Sequence, residues 1–390
     1  MAGALAERFP RVAISHEWLT IPGGSEQVVL ALLELLPQAE LFTTVYDPAP
    51  WPALLTDRPV HASWLDRLPG ARTQYPKLLP LMDAAFRRFD MSGYDLVISS
   101  NHACAKNVRT REAVPRPVHV CYCHTPMRYA WDPSFLEGER LGAAGQAVFK
   151  AVLPRLRRTD LRGAEQVDVF VANSTVVAER IARHYGREAT VVHPPVDVGR
   201  RLTRPRAAGP GAPYLFFGRL VPYKRADLAV AACERLGRPL VVAGDGRDLE
   251  RVKALAGPST TFAGRVSEDE LAELFATSRA LLFPGEEDFG IVPVEAQAAG
   301  LPVVGYGAGG VRDSVRDGET GVLYADAGVD GLVAAIERFE ALQLDDAALR
   351  ANAARFGPER FGAEMAAVLA AAVRRGDAPR PYAEGSPSPS

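Results

Sequence analysis

Short β-branched apolar runs alternate along the chain with longer stretches of amphipathic, helical pattern. Residues 11–15, 41–45, 94–99, 118–123 and 167–172 are predicted strands, and after a break the series resumes at 214–217, 239–243, 260–263, 280–283, 302–305 and 321–324. Helices are predicted at 25–36, 174–185, 226–236, 268–276 and 292–299. Apolar runs of this kind, each followed by a helical pattern, read as βα units and mostly parallel sheets buried on both faces.

The break falls at 200–213, RRLTRPRAAGPGAP, where Pro, Gly and Arg replace any apolar period. It divides the chain into halves that each carry a strand series. With 390 residues, the chain exceeds the roughly 250–300 residues at which one hydrophobic core stops growing, so two domains are expected. They are predicted over 1–200 and 201–357, with an Ala-rich helical segment over 358–376 and a low-complexity, disordered tail over 377–390 ending EGSPSPS.

The remaining composition narrows the class. A net charge of -2 argues against general nucleic-acid binding, which needs a basic domain. The four cysteines, Cys104, Cys121, Cys123 and Cys233, are scattered unlike a secreted disulfide framework. The opening MAGALAERFP does not read as a signal peptide, and no apolar run reaches the roughly 18 residues a membrane helix needs. A cytoplasmic protein is expected.

Two segments carry candidate chemistry. In 287–300, EDFGIVPVEAQAAG, Glu287 and Glu295 flank a turn and a helix start. Pro293 suits a first helical turn, where its missing N–H costs nothing. The free amides around Gly290, Ile291 and Val292 would then attract an anion such as a diphosphate, and the carboxylates would accept bonds from sugar hydroxyls. Taken alone, the segment reads equally as a solvated acidic loop. In 218–224, GRLVPYK, Arg219 and Lys224 leave a strand end, where open α/β sheets hold their ligands. Arg suits a phosphate as a fork and Lys as a point charge; two surface cations on a loop would look the same.

Together, GR-L-x4-K, then GRV before a helix, then E-x7-E enclosing FGI, resemble the retaining GT-B glycosyltransferases, the large family that includes bacterial mannosyltransferases and sucrose synthase. The resemblance covers roughly residues 12–322 and is densest in the C-terminal half. It implies two Rossmann-like domains with parallel sheets facing across a cleft, an acceptor side in the first and a nucleotide-sugar donor side in the second. It further implies that Arg219 and Lys224 bind the donor diphosphate, Glu287 the sugar hydroxyls and Glu295 the ribose. The backbone of Phe289, Gly290 and Ile291 would contact sugar and phosphate, and Val266, in the loop GRV, would read the base through its main chain. Gly23 and Gly24 lie in a glycine loop that approaches the diphosphate. His124, at the end of HVCYCH, matches the cleft histidine that meets the donor sugar; Thr125 follows where Asp or a similar residue is frequent, and Asp313 stands where Glu is common. The resemblance also implies that the C-terminal helix, 358–376, crosses back to the N-terminal domain, and domain closure would then hinge within 200–213 and near Phe356.

No cofactor is expected, and no metal: the nucleoside-diphosphate sugar is a co-substrate, and no Asp-x-Asp occurs. GYGAGG at 305–310 matches G-x-G-x-x-G, but it comes late and lacks the ribose-binding acid. Cys121, Cys123 and His124 do not have zinc spacing, and His16–Glu17 lacks the second histidine of HExxH. Two basic stretches, 72–88 and 150–162, are interleaved with Leu and Val and read either as solvated helix faces or as surfaces for anionic lipid at the inner membrane face. HEWLT, the glycine loop and HTPMRYAWD resemble bacterial mannosyltransferases of polysaccharide assembly. That resemblance implies GDP-mannose as donor, ahead of a UDP-hexose, and a glycan or lipid-linked acceptor. The alternatives are a nucleotide-sugar epimerase and a non-catalytic relative, with a nicotinamide dehydrogenase more distant.

Overall fold

The computed structural model describes residues 2–132, 142–199, 204–209 and 211–376. The expected disordered tail and part of the 200–213 break lie outside the described residues. Strands β1 (Val12–His16), β2 (Glu40–Thr43), β3 (Val60–Ala62), β4 (Leu96–Asn101), β5 (Val118–Cys123), β6 (Val169–Ala172) and β7 (Ala189–Val191) form one sheet. Their order is β3-β2-β1-β4-β5-β6-β7, and each pairing is parallel. A second parallel sheet has the order β10-β9-β8-β11-β12-β13. Its strands are β8 (Tyr214–Phe217), β9 (Leu240–Ala243), β10 (Thr260–Gly264), β11 (Leu281–Phe283), β12 (Val303–Tyr306) and β13 (Gly321–Tyr324). This is the doubly wound α/β architecture the apolar pattern predicts.

In both sheets the strand order reverses beside the first strand, between β1 and β4 and between β8 and β11. At such a switch, adjacent loops leave in opposite directions and open a crevice at the carboxyl ends of the strands. The segments that leave there are 17–26 after β1, 218–225 after β8 and 284–290 after β11, so sheet topology alone gathers the glycine loop and both candidate motifs at crevices.

The sequence analysis misses β3 and β7. Each is a three-residue edge strand, VHA and ATV, with no buried residue, so neither presents an apolar run. The predicted helices are present with ends shifted by a residue or so: Gly24–Leu35, Thr175–Tyr185, Ala226–Leu236, Glu268–Thr277 and Ile291–Ala298. Ser174 caps Thr175–Tyr185, its Oγ accepting from Val177 N at 3.2 Å. Glu268–Thr277 begins with a capping box between Ser267 and Glu270.

The helix Pro358–Gly376 does not pack on the second sheet, which precedes it in the chain. Phe361, Met365 and Leu369, spaced four apart and so on one helix face, enter the core of the first sheet with Val28, Leu32 and Tyr122. The Phe361 and Tyr122 rings lie 5.8 Å apart. Burial of each such side chain contributes about 2 kcal/mol. The chain therefore passes between the two sheets twice. Val196 N donates to the Phe356 carbonyl at 2.9 Å where the crossings run side by side. Phe356 is buried with Phe289 and Val196, so the second crossing is a packed segment.

Candidate active site

After β8 the backbone turns at Gly218 with φ of 149°, and a Cβ there would meet Lys224 Nζ at 3.2 Å. After β11, a Cβ on Gly285 would lie 2.7 Å from Lys224 Cα. Lys224 is thus threaded between the two strand exits, and no side chain larger than hydrogen fits at Gly285 without backbone movement. Its Nζ meets Glu287 Oε1 at 2.8 Å. Burial works against the ammonium, but Glu287 and Tyr223 outweigh it and raise the Lys224 pKa, while the neighbouring charge of Arg219 opposes them. Lys224 stays a cation, and Arg219 is exposed beside it.

The segment 284–290 reaches the helix Ile291–Ala298 through Gly290, whose φ of 82° is left-handed. Pro293 occupies the third helical position and is buried. The GYGAGG turn supports this segment from behind. Cβ atoms at Gly309 and Gly310 would approach Glu287 O and Asp288 O within 2.4 and 2.3 Å, and Gly310 N donates to Glu287 O at 2.8 Å. The G-x-G-x-x-G match is therefore a close-packing device here. The Phe289 ring turns away to His193 and Phe356, 5.5 and 5.6 Å between centroids, leaving its backbone in the segment before the helix. Glu295 lies half-buried one turn into the helix. Val266 is half-buried after β10, an edge strand two places from β8.

The first sheet brings its own switch point to the same place. The helix Gly24–Leu35 starts at the N-cap Gly23, and a Cβ on Gly24 would fall 2.7 Å from Ile291 Cδ1. Two helix N-termini, one from each sheet, therefore meet across the cleft. Arg219, Lys224 and Glu287 are brought together beside one of them, and Gly23 and Gly24 form the other.

Behind the glycine loop lies a buried polar cluster in which the sequence analysis gives a role to His124 but not to His16, Glu17, Glu26 or Ser100. His16 Nε2 meets Glu26 Oε1 at 3.1 Å, and His16 Nδ1 meets both the carbonyl and Oγ of Ser100 at 3.1 Å. Ser100 Oγ lies 2.9 Å from His124 Nε2. Glu17, fully buried, accepts from the amides of His102, Ala103, Cys104 and Ala105 at 2.8–3.1 Å. Burial opposes both charges of the His16–Glu26 pair, yet their contact raises the His16 pKa and lowers that of Glu26. His124 goes the other way: burial, then the charges of His102 and His16, hold its pKa well below the ordinary histidine value. The only sequence signal was a His and a Glu flanking the glycine loop.

Contacts between the sheets continue along one side of the cleft. Asp288 accepts from Arg128 at 2.8 Å and is also bonded by Arg180, which reaches Glu286 at 2.7 Å. Ser174 Oγ donates to the Asp288 carbonyl. Asp313 accepts from Thr175 N at 2.7 Å and pairs with His193 Nε2 at 3.2 Å. Burial raises its pKa, but His193 and Thr175 prevail and lower it. The aspartate that departs from the family pattern thus ties the second sheet's layer to the N-terminus of a first-layer helix. A cavity of about 230 Å³ opens alongside, lined by Thr125, Arg128, Trp131, Arg180, Arg183 and Glu286.

Comparison with known proteins gives two family matches: "Glycosyltransferase Family 4" over residues 22–200 and "Glycosyl transferases group 1" over residues 207–356. A D-inositol 3-phosphate glycosyltransferase of Nocardioides sp. is 34% identical over 202 residues, covering 41% of this chain and 44% of the relative. Glycogen synthase of Mycobacterium tuberculosis is 33% identical over 215 residues, covering 51% and 50%. The chain spans about half the length of the curated relatives it matches. Among solved structures, sucrose-phosphate synthase from Thermosynechococcus elongatus has a TM-score of 0.68 at 18% identity, covering 94% of this chain and 99% of that one. Anabaena Alr3699/HepE in complex with UDP-glucose has a TM-score of 0.66 at 17% identity, covering 92% and 99%. These structural likenesses show the fold.

Proposed function

The chain belongs to the glycosyltransferases of GT-B fold, with a family 4 region followed by a group 1 region, and from that membership we propose that it transfers a hexose from a nucleoside-diphosphate sugar to a hydroxyl of a glycan or lipid-linked acceptor. The observation that carries this reading is the pairing of Lys224 with Glu287 at the β8/β11 switch, beside the meeting of two helix starts at Gly24 and Ile291.

Departure of the nucleotide is the hard part of the reaction, because a diphosphate gains charge as the C1–O bond breaks. Lys224, Arg219 and the amides at the start of Ile291–Ala298 supply fixed positive potential for it, the electrostatic contribution that usually dominates such catalysis. No metal is required in this scheme. Transfer proceeds with retention. The acceptor oxygen attacks C1 on the face the nucleotide leaves, and the departing phosphate oxygen takes the acceptor proton. Glu287 holds sugar hydroxyls, Glu295 the ribose and Val266 the base, as the family resemblance implies.

GDP-mannose is the first donor to test, on the resemblance of HEWLT and HTPMRYAWD to bacterial mannosyltransferases. A UDP-hexose is second, supported by the UDP-glucose complex of the Anabaena protein. Among the described residues no helix is long and apolar enough to cross a membrane. The outer face of the helix Ala143–Gln166 exposes Val152 and Leu161 among Lys150, Arg155, Arg158 and Arg162. That face supports peripheral contact with anionic lipid at the inner membrane surface; failure to float with anionic vesicles would remove this part of the proposal.

A thermal-shift panel of GDP-, UDP- and ADP-sugars and NAD tests the main reading. A ligand of the native state at a hundred times its Kd adds about 2.7 kcal/mol of apparent stability. One nucleotide-sugar class should raise the midpoint, followed by transfer to an acceptor; stabilisation by NAD alone would overturn the proposal.

A further inference from the structure

The polar cluster behind the glycine loop has only one consistent proton arrangement. The Ser100 carbonyl can only accept, so His16 Nδ1, 3.1 Å away, carries a proton. His16 Nε2 faces the Glu26 carboxylate and is protonated as well, making a buried imidazolium–carboxylate pair. The His16 Nδ1–H points equally at Ser100 Oγ, which therefore accepts from it. A serine hydroxyl has a single proton, and the remaining partner of Ser100 Oγ is His124 Nε2 at 2.9 Å. A hydroxyl oxygen could accept twice, but among the described residues His124 Nε2 is the one acceptor within reach of the buried Ser100 proton, so Ser100 Oγ donates and that nitrogen accepts. His124 is then neutral and carries its proton on Nδ1, a nitrogen without a protein partner among the described residues. The ring stands at the carboxyl end of β5, beside β4 and the switch point. The other charged groups around it agree: Glu17 is held by four amides and faces His102 at 3.8 Å. His102 packs edge-on against both His16 and His124.

We propose that Glu26, His16 and Ser100 are positioning residues that fix His124 as its Nδ1–H tautomer, and that this N–H is the hydrogen bond His124 offers to a sugar hydroxyl or to the leaving phosphate oxygen. The inference rests on the glycosyl-transfer reading for its substrate, but the tautomer follows from this chain's own geometry. The glycine loop gains a second role: the helix start that meets the donor carries Glu26 on its third residue, so loop placement and histidine orientation are coupled.

The test is long-range proton–nitrogen NMR of the histidine rings in ligand-free protein, with His124 assigned by His124→Gln, together with kinetics of Ser100 variants. Ser100→Ala removes the hydroxyl from a buried strand position with little change in volume, so the fold should survive, whereas loss of His16 would strand the buried Glu26 carboxylate. The wild type should show a neutral His124 with the proton on Nδ1. Ser100→Ala should mix the tautomers and lower kcat roughly ten- to a hundred-fold, the size of loss that follows removal of the partner orienting a metal-bound histidine, with KM for the donor little changed. Ser100→Thr should restore both. A wild-type Nε2–H tautomer, or wild-type kcat in folded Ser100→Ala, overturns the relay. A wild type with the Nδ1–H tautomer that transfers no sugar from any donor overturns the transfer reading and leaves the relay standing.

Discussion

Gly24 and Ile291 belong to different sheets, yet a single added carbon on Gly24 would sit 2.7 Å from Ile291 Cδ1. The obstacle is the far end of a flexible side chain, so Gly24→Ala should fold normally, within about 1 kcal/mol of wild type. What it should disturb is the approach of the two helix starts. We expect donor binding weakened about tenfold, equivalent to about 1.4 kcal/mol. Ile291→Val, which deletes the offending carbon, should recover most of the loss in the double variant. Calorimetric titration with the donor decides it: additive losses in the double variant would show that the contact does not govern binding.

Arg219 and Lys224 should separate by stability. Both alanine variants are expected to lose about a hundredfold or more in kcat, as when one preorganised donor to a developing charge is removed. Arg219 is exposed, so its removal should leave urea unfolding unchanged. Lys224→Ala strands the half-buried Glu287 carboxylate and should cost about 1–2 kcal/mol. Near-normal turnover in both variants would count against the assigned roles.

Asp288 joins Arg128 and Arg180 across the cleft. Asp288→Ala leaves two guanidinium groups without their shared acceptor and should destabilise the protein by roughly 1–3 kcal/mol. It should also loosen the two layers in the absence of ligand. Small-angle scattering should report a larger radius of gyration for the variant than for wild type, with the difference reduced on addition of donor. Identical scattering profiles would mean that the latch does not set the opening.

His119 gives stability a definite pH dependence. Burial, only partly offset by the Gln166 carbonyl, pushes its pKa down to about 3 from 6.5. The native state therefore binds fewer protons at this site than the unfolded chain, and the stability it contributes is present above 6.5 and lost as pH falls below it. His16 acts oppositely. Its raised pKa contributes stability that is complete below 6.5 and lost as pH rises through the folded value. Urea unfolding of the wild type should weaken between pH 6.5 and 5, and His119→Gln should reduce that slope by up to about 1.4 kcal/mol per pH unit. An unchanged slope in His119→Gln would show that the residue is not held neutral.

Local patterns announce what local forces make. The apolar runs of β5 and β8 and the helix Ala226–Leu236 are legible to the residue, because burial on both faces or a 3.6-residue stripe leaves a periodic trace. The pairing of Lys224 with Glu287 is legible as two motifs that sheet topology brings to one crevice. His16 and Ser100 lie 84 positions apart, and Arg128 and Asp288 lie 160 apart. No period links such partners, so only the folded sheets disclose them. Asp288 stood inside a quoted motif without a role, and Phe289 was read for its backbone while its ring closes the packing with His193 and Phe356.

The helix Pro358–Gly376 lends Phe361, Met365, Ala366, Leu369 and Ala372 to a core whose other buried members are made before the second sheet. During synthesis, the first half thus leaves the ribosome with a gap in its interior. It waits, partly finished, while the second half is translated. Native packing of the earlier half is completed only by the later segment, which works as a closing clasp.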